Sequence, residues 1–92
     1  MTEADAQTLA IRALAWLSTQ EELFPGFLNA TGLDLAELRQ AASEPEFLAG
    51  VLGYLTMDDG WITAFCDAEG YDYAAPMAAR RALPGGMTPE WS

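Results

Sequence analysis

The stretch Phe27-Leu28-Asn29-Ala30-Thr31-Gly32-Leu33-Asp34-Leu35-Ala36 decides how this chain folds. It returns 38 residues later as Phe65-Cys66-Asp67-Ala68-Glu69-Gly70-Tyr71-Asp72-Tyr73-Ala74. In each copy an apolar run ends at Gly, one large apolar residue follows, then Asp, then a new run. That order reads as a helix stop joined to a helix start. Glycine accepts φ > 0 without a Cβ clash, so Gly32 and Gly70 are each expected to close a helix. Leu33 and Tyr71 should fold back on the hydrophobic layer. Asp34 and Asp72 should then cap the free N–H groups of the helices that follow.

The echo is wider than the junction. Ala13–Ala36 sets against Val51–Ala74 without a gap, and seven of the 24 positions are identical, Leu14/Leu52, Leu17/Leu55 and Phe27/Phe65 among them. A fixed offset is the mark of a structural repeat. Convergence on one junction chemistry explains the Gly and Asp matches but not Trp16/Tyr54 or Phe27/Phe65. Two copies are too few for an open solenoid. The halves, about 7–42 and 45–83, are therefore expected to face each other across one core, related by an approximate two-fold axis.

Working outward, the spacing predicts only helices. Ala6, Leu9, Ala10, Ala13, Leu14, Trp16 and Leu17 share a face at about 100° per residue, behind a Thr2 cap. Ser18-Thr19 followed by Glu21-Glu22 resembles a fresh cap before a short turn, and Pro25 suits the first turn of a helix to Thr31. A third helix from Asp34, with Glu37 in capping-box position, should turn Leu35, Leu38, Ala41 and Ala42 inward. Pro45 opens a fourth, with Phe47, Leu48, Val51, Leu52, Tyr54 and Leu55 on one face. Trp61, Ile62, Ala64, Phe65 and Ala68 carry a fifth to Gly70, and a sixth should run from Asp72 to about Leu83. The expectation is one all-α domain over 1–83, a bundle of five or six short helices. Residues 84–92, with Trp91, read as a flexible tail.

Composition narrows the function. Ninety-two residues hold one core, and the 51% hydrophobic content is enough to collapse it. Fourteen acidic residues against four arginines, with no lysine or histidine, give a net charge of −10. That sign opposes nucleic acid and anionic membranes as ligands and favours basic partners. No apolar run approaches the ~18 residues of a membrane span. The acidic N-terminus has the wrong sign for a signal peptide, so the expected compartment is the cytoplasm.

No pattern here carries a reaction. Without histidine and with one cysteine, zinc and copper sites lack their usual ligands. Asp58-Asp59-Gly60 lacks the alternating acids of a calcium loop. Cys66 and the serines have no histidine to activate them. The chain is therefore expected to be non-enzymatic, with no metal and no cofactor. One helix-turn-helix look-alike, Phe27–Ala42, offers Glu37, Arg39 and Gln40 to a groove that wants cations. A surface for protein remains: Tyr71 and Tyr73 bracket Asp72, and Trp61 stands beside Asp58 and Asp59. Aromatics next to carboxylates suit an arginine-bearing partner. Read as core instead, Trp61 and Tyr71 would simply fill the interior.

The pattern Ala13-Leu14-Ala15-Trp16-Leu17, Phe27-Leu28, Thr31-Gly32-Leu33-Asp34, Leu38-Arg39, Phe47-Leu48 and Val51-Leu52 resembles a family of short alphaproteobacterial proteins of unknown function. The resemblance spans about Ala10 to Leu83 and rests on structural motifs. It brings no catalytic residues, and its members' proximity to response-regulator genes implies a link to signalling. The reading that follows is a small acidic interaction or regulatory module, monomeric or weakly homodimeric, with a protein partner. The alternatives are a helix-turn-helix-like DNA-associated regulator and a small-molecule sensor using a cleft between the halves.

Overall fold

The computed structural model describes residues 1–84 and places them in six helices and their joints. These are α1 (Glu3–Ser18), α2 (Phe24–Thr31), α3 (Leu35–Ala41), α4 (Pro45–Leu55), α5 (Asp59–Glu69) and α6 (Ala75–Ala82). No strand occurs among the described residues, so the fold is an all-α bundle. The predicted tail, apart from Pro84, lies outside them, Trp91 included.

α4 is the central helix. Glu46 alone of its residues is exposed, as expected of a helix apolar nearly all round. α1 and α6 pack against it and against each other. Leu9, Ala10, Ala13 and Leu17 of α1 meet Leu48, Val51, Leu52 and Leu55 of α4 in one core, joined by Phe27, Phe65 and Ala79.

Several ends form as the sequence predicts. Thr2 Oγ1 accepts the Asp5 N–H at 3.1 Å. Asp34 and Glu37 make a reciprocal capping box, Asp34 Oδ1 accepting the Glu37 N–H at 2.8 Å. Pro45 starts α4. A cap that was not predicted closes the start of α5, Asp58 accepting the Trp61 N–H at 3.1 Å. Gly32 and Gly70 stand at φ 72° and 76°, the left-handed region that closes a helix.

Four expectations are corrected. Ser18 and Thr19 do not cap a new turn: their hydroxyls donate back to the Ala15 and Trp16 carbonyls, closing α1. Leu35 points outward, 60% exposed. Leu33 and Leu38 hold the N′ and N4 positions of a hydrophobic staple, so they take the inward direction and leave Leu35 at N1 to solvent. In α5, Ala64 and Ala68 are exposed while Ile62, Phe65 and Cys66 form the inward stripe. Finally, Asp72 is not the cap of α6, which begins only at Ala75. A helix starting at Asp72 would need residue 76 to donate an N–H to the Asp72 carbonyl, and Pro76 has none. That carbonyl instead accepts the Ala75 N–H at 2.9 Å.

Aromatic contacts cross between the halves in pairs. Trp16 meets Phe65 edge-on, with centroids 5.9 Å apart at 70°. Tyr54 meets Phe27 the same way at 5.2 Å and 69°. Under the 38-residue offset Trp16 corresponds to Tyr54 and Phe65 to Phe27, so in each case a ring of one half meets the other's phenylalanine in a T-shaped contact. The correspondence ends at the third helix of each half. α6 packs against both α1 and α4, whereas α3 makes no comparably extensive contact with another helix.

Candidate functional site

The candidate residues fall at opposite ends of α5. Asp58, Asp59 and Trp61 form its first turn, and Tyr71, Asp72 and Tyr73 follow its end. At 1.5 Å of rise per residue, the two ends of α5, Asp59 and Glu69, are about 15 Å apart along the axis. No one side chain of a partner reaches both ends.

At the near end, Trp61 is half-buried and stacks on Tyr54, with centroids 5.2 Å apart. Tyr54 in turn stands so close to α2 that a Cβ added at Gly26 would meet its hydroxyl at 2.9 Å. Trp61 therefore serves the core more than the surface. Met57, just before the Asp58 cap, is the protruding residue here, 75% exposed. Arg80 reaches this end from α6: its Nη1 donates to Thr56 Oγ1 at 3.3 Å, and that hydroxyl donates to the Leu52 carbonyl at 2.8 Å. A cation thus sits at the C-terminus of α4, where the helix dipole favours it.

The far end is different in kind. Tyr71 is half-buried and stacks on Phe65 at 5.7 Å. Tyr73 is 55% exposed, and its hydroxyl donates to Asp67 Oδ1 at 2.7 Å. Asp72 is exposed, and its Oδ1 accepts the Ala74 N–H at 3.0 Å, which fixes the turn. Met77, four residues past Tyr73, is 39% exposed. The hydrogen bond to Asp67, helped by that carboxylate's charge, pushes the Tyr73 phenol up from the ordinary tyrosine value. Beneath them Cys66 is buried, its thiol donating to the Asp72 carbonyl at 3.4 Å. Burial pushes that thiol up, and the charges of Asp67 and Asp72 add to the shift.

Sequence reasoning named Tyr73 and Asp72 but missed Asp67, Met77 and Met57. The signal for Asp67 was present: a helix stop at Gly70 turns the chain back, so residues six apart across it can meet. The exposure of the two methionines had no counterpart in the apolar pattern. Gly32 and Asp34, with Gly70, serve as structural joints. Among the described residues no three metal-type side chains converge, and no helix is long and apolar enough to cross a membrane.

Fold and surface together define an acidic bundle of six helices among the described residues, with two Gly-x-Asp joints. Over residues 3–86 the chain matches the model of the protein family of unknown function DUF3572, and it belongs to that family. No curated protein and no solved structure matches it.

Proposed function

We propose that this chain is a non-enzymatic interaction module of the cytoplasm, monomeric or weakly dimeric, that docks a basic protein along its α5–α6 edge. The observation that carries this reading is Tyr73: a large ring left in solvent while its hydroxyl is tied to Asp67 at 2.7 Å. An aromatic held upright beside carboxylates supplies contact area at small entropic loss, the usual anchor of a docking surface. The net charge of −10 favours a partner of opposite sign. The test is affinity capture with wild type and Tyr73→Ala side by side. A protein retained by wild type and lost by the variant supports the reading, and identical retained sets overturn it.

A helix-turn-helix-like role has one observation in its favour: Leu38 is the sole buried residue of α3, leaving Arg39 and Gln40 exposed on a free face. The charge balance weighs against it, because phosphate binding needs clustered cations. A mobility shift on mixed DNA at low salt decides the point. Against a cleft sensor, the fully buried side chains among the described residues are all apolar, so the core supplies no polar group to orient a ligand.

A further inference from the structure

Resting on the reading above, we infer that the α5–α6 edge recognises an arginine side chain of its partner, stacked on the Tyr73 ring with its guanidinium on Asp67. Three observations converge on arginine. The Tyr73 ring is exposed, and a planar cation stacks on an aromatic face where a compact ammonium does so less well. The Tyr73 hydroxyl occupies Asp67 Oδ1, so the second carboxylate oxygen is left to accept from a donor arriving beside the ring. Among the described residues, neither Asp67 nor the adjacent Asp72 has a cation within 4 Å, the one ion pair there being Arg12 with Glu69 at 3.8 Å. The edge is thus negative and aromatic, and the partner it fits is an exposed arginine flanked by apolar residues, which Met77 can meet four positions on. The molecule's other aromatic-and-acid end fits less well, because Trp61 spends a face on Tyr54 and Arg80 already reaches Thr56 there.

The experiment uses the whole chain and three short synthetic peptides: one alternating arginine and leucine, its lysine twin and its citrulline twin. Amide shifts in heteronuclear NMR spectra should centre on Asp67–Met77 and not on the acidic surface at large. The arginine peptide should bind roughly two- to fivefold more tightly than the lysine twin, the range of one exposed cation–π contact. The citrulline twin should lose binding, and Tyr73→Ala should abolish the arginine preference. Asp5→Asn, which removes an exposed charge from the first turn of α1, should keep it. Equal affinity for arginine and lysine, shifts spread evenly over the acidic residues, or an equal loss in Asp5→Asn would each overturn the inference. If arginine and lysine prove equal while capture still depends on Tyr73, the interaction module stands and the arginine specificity falls. If neither depends on Tyr73, both fall.

Discussion

At the α2–α3 joint, Gly32 turns at φ 72°, Thr31 Oγ1 accepts the Leu33 N–H at 3.3 Å, and Asp34 opens α3 with a full capping box. At the α5–α6 joint, Gly70 turns at φ 76°, yet the Tyr71 N–H closes on the Cys66 carbonyl at 3.0 Å and Asp72 makes only a local turn. The two stops are alike and the two starts are not. The difference traces to one pair of positions: Leu38 in the first half stands where Pro76 stands in the second. Both are buried, but only Leu38 has an N–H, and it bonds the Asp34 carbonyl at 2.9 Å. A ring without a donor moved the helix start two residues on from the position that matches α3, and left Tyr71-Asp72-Tyr73-Ala74 as a loop at the surface. The candidate site is a product of that displaced start.

The widest test of how far the halves agree is at their phenylalanines. Phe27→Ala and Phe65→Ala should each destabilise by about 3–5 kcal/mol, since both rings are fully buried and both carry the reciprocal ring contact. Urea unfolding measures this, and a large imbalance would show that the contacts across the halves are not shared evenly. Next come the stops. Gly32→Val and Gly70→Val should each cost more than ~1 kcal/mol from backbone strain. Nothing lies within 4 Å of a Cβ added at either position, so the two losses should be close to equal.

The starts should then diverge. Asp34→Ala should cost about 1 kcal/mol through the lost cap, and Asp72→Ala only a few tenths, because its side chain holds one turn N–H in an exposed loop. A Pro76→Ala background sharpens the contrast: if the missing donor is the cause, Asp72→Ala should cost nearly as much there as Asp34→Ala does. The smallest effect is in alkali. Tyr73 holds its proton longer in the folded state than in the unfolded one. Its contribution to stability is therefore present below the ordinary tyrosine range and is lost as pH rises through the raised folded value. An absorbance titration should show Tyr73 ionising late, and earlier in Asp67→Asn.

The stops, the first cap and the core face of α4 were legible in the sequence, because local chemistry decides them: glycine at φ > 0, Asp with Glu three on, proline at a first turn. Leu35, Ala64 and Ala68 were misplaced because periodicity counts apolar residues without knowing which are needed. Leu33 and Leu38 already filled one side of α3, as Ile62 and Cys66 did for α5. Pro76 sits in the first turn of α6, and its missing N–H bars the start at Asp72 that the Gly-x-Asp pattern predicts. The candidate site was legible only in half. Tyr73 and Asp72 are visible as residue types, but the tie to Asp67 needs the fold to bring α5 back over the loop.

Cys66 lies under that same loop, roofed by the Asp72 carbonyl. A lone shielded sulfur reacts with a disulfide reagent only when the backbone above it lifts, so its labelling rate times local opening directly. The protein thus carries a natural stopwatch beneath its proposed docking edge. A bound partner that clamps the loop should slow the clock without touching the sulfur.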